Sequence, residues 1–408
     1  MTFRTARFTC LSFALATAAC GDAEGEPIVT TANSSGSSGG GATTSSAGGG
    51  DASSSSAGGM GAGGMTGAGG SATGGGDPAV RPRLLVAHAG GVAIWDRADE
   101  LTADVMPDHD LGGFSGQGLA LAADGDRLFA ASSGNARSVY IYDGLDALDG
   151  ASTSPNGIPP SSFNGAINEV WDLHVAGGDN LVITSSEDIG STRMFPMAST
   201  LTTGGMSPAR FTHGFQQLRD AVYVPSVDRL FATQVSGAGL IAYDDASSAT
   251  GDQDLSWALE PGAFVWSAAF HQGDLYASAN TELKIWRNIA SISSTQAPDV
   301  VLDQAGSQLT GVLYFSFQGD TLVVTNKDNV EPKVQLFFNA STLSSGAAPD
   351  VTIPLNGLPD DAVLDQTGHL YVRYDEQVLI FSDATTTPTF QASLDIHLSG
   401  VNDILLIE

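Results

Sequence analysis

The chain has 408 residues, of which 45 are acidic and 16 are basic, so its formal net charge is −29. A surface with this excess of carboxylates repels nucleic-acid phosphates, and no nucleic-acid partner is expected. Glycine accounts for 50 residues, and no helical periodicity of apolar residues persists for more than a few turns. This composition indicates a β-rich protein.

Residues 1–19 have the pattern of a signal peptide. Arg4 and Arg7 precede a short apolar run from Phe8 to Ala18, which is too short to span a bilayer as a helix. The run ends in Thr17-Ala18-Ala19-Cys20-Gly21. Small residues followed by a cysteine resemble a bacterial lipobox, and this resemblance implies that Cys20 becomes the lipidated first residue.

Cysteine usage supports lipidation of Cys20. Cys10 is removed with the leader, so Cys20 is the remaining cysteine of the mature chain, and an orphan thiol is a liability in an oxidising compartment. We therefore expect a lipoprotein of the bacterial cell envelope, anchored in the outer membrane or at the cell surface. Ordinary signal-peptidase cleavage, which would give a secreted protein, is the alternative.

Residues 20–78 have the composition of a tether. The stretch 34–76 is nearly all Gly, Ser, Ala and Thr, which cannot build a hydrophobic core and is expected to be disordered. Roughly 55 residues of such a chain have a root-mean-square reach of about 40 Å. The sequence thus predicts a membrane-tethered domain that begins near residue 79.

Residues 79–408 contain a repeat about 44 to 53 residues long. Its mark is a polar residue, a variable residue, a leucine and an aromatic or aliphatic residue. The leucines are Leu84, Leu128, Leu181, Leu230, Leu275, Leu322 and Leu370. A period of this length built from short strands is typical of a β-propeller blade. The predicted fold is an all-β, seven-bladed β-propeller, with six blades as the alternative.

Four strands are expected in each blade. In the last repeat, an inner strand 362–364 precedes the leucine strand 370–372, and a third strand with an aromatic residue follows at 378–381. An outer strand completes other repeats, and the segments 288–300 and 339–351 align without a gap. This pattern resembles the NHL-type repeat of bacterial propellers over residues 82–408.

The two ends of the repeat region are predicted to pair. The first repeat, at Leu84, lacks an inner strand of its own, while an apolar strand, 401–408, follows the last repeat. Inserting this strand as the innermost strand of blade one removes an open sheet edge. We therefore expect the C-terminal strand to close the ring.

Candidate functional residues are acids and histidines of the inner strands. Carboxylates at the starts of the inner strands should meet near one mouth of the central channel; they are Glu169, Asp220, Asp361 and Asp403. Two histidines at the ends of inner strands, His174 and His271, could approach the same channel. Converging carboxylates can bind Ca²⁺. The favoured interpretation is that each carboxylate binds the backbone of a neighbouring blade, and no cofactor is expected.

Two functional hypotheses follow. The absence of a phosphate-binding loop, a nucleophile elbow, a zinc-protease motif or paired cysteines favours a monomeric, non-catalytic binding module. Its partner would be a protein, a glycan or another envelope component. The alternative is a hydrolase or lyase that acts on a lactone or sugar at the channel mouth, as several six- and seven-bladed propellers do.

Overall fold

The computed structural model describes residues 81–407, with gaps at 103–104, 125, 133–138, 146–155, 159–169, 178, 186–190, 203–207, 213–217, 236–238, 260–262, 375–376 and 396–402. The chain divides into the units Met1–Thr73 and Gly74–Glu408. The leader, Cys20, the tether and Glu169 lie outside the described residues. No helix in the described part of the chain combines the length and apolar character needed to cross a membrane.

The described strands form seven sheets, which follow one another in chain order as the blades of a seven-bladed β-propeller. From the axis outwards, blade one contains β27 (Asp403–Ile407), β1 (Arg83–Trp95) and the first half of β2 (His109–Asp124); blade two contains the second half of β2, β3 (Arg127–Ser132), β4 (Val139–Asp143) and β5 (Asn156–Ile158); blade three contains β6 (Val170–Ala176), β7 (Asn180–Ser185), β8 (Ser191–Pro196) and β9 (Ala209–Thr212); and blade four contains β10 (Leu218–Val224), β11 (Arg229–Gln234), β12 (Gly239–Asp244) and β14 (Trp257–Leu259).

The remaining blades have the same plan. Blade five contains β15 (Val265–His271), β16 (Asp274–Ala279), β17 (Glu282–Trp286) and β18 (Val300–Leu302); blade six contains β19 (Val312–Gln318), β20 (Thr321–Asn326), β21 (Lys333–Phe337) and β22 (Val351–Pro354); and blade seven contains β23 (Pro359–Leu364), β24 (Leu370–Tyr374), β25 (Gln377–Ser382) and β26 (Thr389–Asp395). The short strand β13 (Asp252–Gln253) adds to blade three by pairing in parallel with β9. Among the described residues, helical structure is limited to one α-helix and six 3₁₀ turns; they are α1 (Gln304–Ser307) and the turns Ala98–Glu100, Ala198–Thr200, Pro225–Val227, Ala246–Ser248, Ile289–Ser291 and Ala340–Thr342.

Blade one combines both ends of the repeat region. Its inner strand β27 pairs antiparallel with the first half of β1, from Arg83 opposite Ile407 to Ala87 opposite Asp403. The second half of β1 pairs with the first half of β2. The Ala98 N–H donates a 2.9 Å hydrogen bond to the Pro82 carbonyl, so the chain doubles back within β1. The predicted closure by the C-terminal strand is confirmed, and the six-bladed alternative is wrong.

Apolar cores lie between the blades. Each of seven buried clusters draws its residues mainly from two neighbouring blades, and together the clusters connect every blade to the next. In one cluster, Leu84 and Ile404 of blade one pack with Tyr371 and Val378 of blade seven. A repeat architecture is stabilised by such neighbour contacts, and the contact between blades seven and one closes the ring.

The acidic residue of the repeated leucine motif closes its own blade. Asp228 accepts hydrogen bonds from the backbone N–H (2.7 Å) and the hydroxyl (2.8 Å) of Ser247, which follows the third strand. Equivalent pairs occur in two other blades, as Asp179 with Ser199 and Asp320 with Ser341. These contacts hold the end of the third strand beside the start of the second, and they explain why the Ala-Ser sequence recurs in the repeats.

Candidate functional site

The inner strands place one residue per blade at the same height in the central channel. These seven residues, which we call the axial ring, all line one cavity of about 720 Å³; they are Asp403, Ala120, Asp172, Asp220, Ser267, Tyr314 and Asp361 in blades one to seven. In six of the inner strands, the register against the second strand shifts at or just before the ring position. Such β-bulges re-aim side chains.

The bulge also turns the preceding residue towards the cavity. Trp171, Arg219 and Trp266 occupy this position in blades three, four and five, and all three line the cavity. The Arg219 guanidinium carbon lies 3.6 Å from the Trp171 ring centroid and 5.5 Å from the Trp266 ring centroid. A cation over aromatic faces is a stable arrangement. These three residues, the stacked wall, form one side of the channel mouth.

Ion pairs form another part of the mouth, on blades six and seven. Asp360 precedes the ring residue of blade seven and pairs with the Lys327 ammonium. Its Oδ2 atom lies 3.8 Å from Nη1 of Arg373. One carboxylate therefore serves two cations, and all three side chains line the cavity.

Two of the ring carboxyls tie one blade to the next. Asp403 of blade one accepts a 2.6 Å hydrogen bond from the Leu121 N–H of blade two. Asp220 of blade four accepts hydrogen bonds from the Ala268 N–H (2.8 Å) and the Ser267 hydroxyl (2.9 Å) of blade five. These bonds are the backbone contacts between blades that the sequence favoured for such acids.

Asp172 and Asp220 form a carboxyl pair across blades three and four. Burial is the main cause that raises the pKa of Asp172, to about 6. Burial, followed by the charge of Asp172, raises the pKa of Asp220 to about 8. The pKa of each group depends on the other, so the two carboxyls titrate as a pair. Near neutral pH the pair therefore holds one proton and one negative charge.

The other ring acids are also displaced towards the protonated form. Burial, reinforced by the charge of Asp361, raises the pKa of Asp403 well above its ordinary value. Burial raises the pKa of Asp361 as well, although the Arg373 cation offsets part of this effect. Both shifts favour the neutral carboxyl, which can donate as well as accept a hydrogen bond.

The two candidate histidines have different surroundings. His174 lines the cavity two residues beyond Asp172. Burial lowers its pKa to about 4, so its imidazole is neutral at physiological pH. His271 is not among the lining residues: its ring stacks on Phe317 at 4.2 Å, and its Nε2 atom lies 3.5 Å from Asp320 of blade six. The structure thus brings His174, but not His271, to the channel.

Sequence reasoning located part of this site. Asp220, Asp361 and Asp403 meet in the axial ring, and the ring position of blade three belongs to Asp172, which was not a candidate. The stacked wall, Ser267 and Tyr314 were also missed. The signal was present, because Trp171, Arg219 and Trp266 recur at the spacing of the repeat itself.

A metal centre is not evident in the described ranges, since no group of three or more His, Cys, Asp and Glu side chains is arranged there to hold an ion. Asp220 and Asp403 direct carboxylate oxygens at backbone N–H groups. These oxygens hold blades together in the arrangement described.

Comparisons with known proteins identify the fold. No family model matches the chain, and no curated protein matches its sequence. A putative 6-phosphogluconolactonase from Bacteroides uniformis has a similar structure, with a TM-score of 0.60, 13% identity and coverage of 80% of this chain and 100% of that one. The WD40 β-propeller domain of Doa1 has a TM-score of 0.51, 13% identity and coverage of 75% and 91%. The fold is a β-propeller.

Proposed function

We propose that the protein is a binding module that holds a small polar ligand, or the end of a larger partner, in the mouth of its central channel. The observation that carries this proposal is the combination of the stacked wall and the axial ring in one cavity of about 720 Å³. Small-molecule sites have volumes of roughly 300–1,000 Å³, with aromatic walls and a few convergent polar groups.

The tether gives this module a location. We propose that lipid on Cys20 anchors the chain in the bacterial cell envelope and that residues 20–78 hold the propeller away from the membrane. A Gly/Ser-rich linker supports the proposal because it allows reach without fixing orientation. A monomer suffices, since each chain carries its own channel.

A hydrolase is the second candidate function, and the Asp172–Asp220 pair favours it. The carboxylate of such a pair can take a proton from water while the carboxyl gives its proton to a carbonyl oxygen, as in the opening of a lactone. Asp172 and Asp220 occupy neighbouring positions of the axial ring and titrate as a pair, so we propose a lactone or similar ester as the substrate of this alternative.

Ligand-observed NMR with a mixed panel of sugars, organic acids, amines, nucleosides and lactones tests the proposal. We expect at least one compound to bind, and Trp171→Ala to weaken its binding at least tenfold. Phe390→Ala, which removes an exposed aromatic residue from the outer strand of blade seven, is the matched control and should leave binding unchanged.

The same samples distinguish the two candidates. If the wild type hydrolyses a lactone and the variants Asp172→Asn and Asp220→Asn do not, the protein is a hydrolase and the proposal of a non-catalytic binding module is wrong. If Trp171→Ala leaves binding unchanged, or if no compound binds, the proposed ligand site at the channel mouth is contradicted.

A further inference from the structure

We infer that the ligand of the channel mouth is a neutral saccharide, most simply the end of a glycan chain. This inference rests on the proposed function and names the chemical class of the ligand at that site. Three independent features of the cavity support it: its unused hydrogen-bonding groups, its charge balance and its aromatic wall.

The hydrogen-bonding groups require a ligand that both donates and accepts. The Oδ2 atom of Asp172 is buried and has no donor in the described part of the chain; the Nδ1 atom of His174, 3.6 Å away, is too far for a hydrogen bond. Tyr314 lines the same cavity, and burial raises the pKa of its hydroxyl to about 12, so the hydroxyl stays protonated and can both donate and accept. An ionised carboxylate group can only accept and an ammonium group can only donate, whereas each sugar hydroxyl does both.

The charges of the cavity nearly cancel. Lys327 and Arg373 pair with Asp360, and Arg373 also acts on Asp361. Arg219 lies in the same cavity as the single negative charge that the Asp172–Asp220 pair carries near neutrality. An ionic ligand would have to break one of these pairings and leave a charge uncompensated in a partly enclosed site, which is costly. A neutral ligand avoids this cost.

The stacked wall provides an apolar face. The Trp171 side chain remains 37% exposed although Arg219 covers one side of its ring. The C–H face of a pyranose ring is flat and apolar, while its edge carries the hydroxyl groups. Packing that face on an indole buries apolar surface and leaves the hydroxyls directed at the axial ring.

Saturation-transfer NMR on the mature chain tests the inference with defined probes. The neutral probes are glucose, galactose, mannose, N-acetylglucosamine and their disaccharides, the charged probes are glucuronate and glucosamine, and the non-sugar probes are adenosine and tryptophan. We expect a neutral probe to bind with its ring C–H protons saturated most strongly. A charged analogue of the same sugar should bind at least tenfold more weakly.

Two variants locate the binding. Trp171→Ala should lower the affinity for the neutral probe at least tenfold. Tyr314→Phe, which keeps the ring and removes only the hydroxyl, should weaken it about five- to tenfold, as expected for one lost hydrogen bond. Phe390→Ala is the control, and unchanged melting temperatures of all three variants show that the channel is intact.

The outcomes separate the inference from the function on which it rests. Binding of a charged or non-sugar probe that depends on Trp171, with no neutral saccharide bound, overturns the inference and leaves the binding module standing. If no probe binds, or if binding is indifferent to Trp171→Ala, both are overturned. Binding of neutral saccharides that is unaffected by Tyr314→Phe would place the ligand outside the axial ring and also contradict the inference.

Discussion

Asp403 and Leu121 lie 282 positions apart in the sequence, and the Oδ2 atom of Asp403 accepts a 2.6 Å hydrogen bond from the Leu121 N–H. This bond joins the inner strand of blade one to the inner strand of blade two. The next residue, Ile404, packs against blade seven on the other side. Strand β27 is thus held by its own blade and by both neighbours.

Removal of residues 402–408 should destabilise the whole ring. The deletion exposes the inner edge of β1 and removes apolar contacts with blades two and seven. We expect the melting temperature to fall by more than about 5 °C, since 1 kcal/mol corresponds to only a few degrees in a domain of this size. Val330→Ala, at a side chain that is 84% exposed, is the control. A deletion variant that melts like the wild type would contradict the closure by β27.

Asp220→Ala should destabilise the propeller by about 1–3 kcal/mol, because the Ala268 N–H loses its acceptor between blades. Asp220→Asn keeps a carbonyl oxygen that can accept the Ala268 N–H, so it should lower the free energy of unfolding clearly less than Asp220→Ala does. Urea denaturation measures both changes, with exposed Asp254→Ala as the control. Equal effects of the two Asp220 variants would show that the tie between blades contributes little.

Stability should fall as pH rises from about 6.5 to 9. The pKa of Asp220 is raised from 3.8 to about 8 in the folded chain, so the folded state retains a proton that the unfolded state has lost. The stabilisation is therefore complete below pH 3.8 and disappears as pH rises through about 8. Asp172, with a pKa of about 6, acts in the same direction at lower pH.

Below pH 6.5, His174 has the opposite effect on the pH dependence of stability. Its pKa is lowered to about 4, so its contribution is lost as pH falls from 6.5. Between pH 6.5 and 9 the carboxyls dominate, and we expect a loss on the order of 1 kcal/mol. Thermal melts of wild type and Asp220→Asn measure it. A wild type that becomes more stable over this interval, or a variant with the same slope, would contradict the assignment.

Calcium should have no effect on stability. Asp220 and Asp403 accept backbone N–H groups, and the described part of the chain holds no group of three or more side chains arranged for a metal ion, whereas Ca²⁺ takes six to eight oxygen ligands. Titration calorimetry should show no heat, and a chelator should leave the melting temperature unchanged. A micromolar affinity that disappears in the double variant Asp220→Asn, Asp403→Asn would show instead that the ring is a cation site.

Cys20→Ala should release the protein from membranes or block removal of the leader. Lipid on Cys20 is the proposed anchor, and one thioether-linked lipid with further acyl chains supplies the two hydrophobic signals that stable anchoring needs. Membrane fractionation and mass spectrometry of the N-terminus measure the result. An unmodified N-terminal residue in the wild type would favour the secreted alternative.

The sequence predicted the blades because each one repeats a local signal. A leucine motif, a turn and a strand with an aromatic residue can be recognised within one repeat, and they correspond to paired strands such as β11 with β12. Closure by β27 was also predictable, because an unpartnered inner edge and an unpartnered strand remained after the blades were counted.

Side-chain direction within the inner strands was not predictable to the same degree. A β-bulge shifts the alternation by one residue, so Trp171 and Asp172 both face the cavity although they are adjacent. At the far end of β15, His271 meets Phe317 of blade six, as strand twist turns successive side chains away from the axis. Neither the bulge nor the twist can be recognised from the alternation of polar and apolar residues in the sequence.

The pairing of β27 with β1 determines the order in which the molecule can be completed. Ile407 must find Arg83 across the entire length of the propeller, and contacts of such long range are slow to form. Blades two to six can assemble from contacts between neighbouring repeats, but blade one remains short of its inner strand until residues 403–407 pair with β1. A partly folded chain therefore keeps an open end, and ring closure is the last step in forming the propeller.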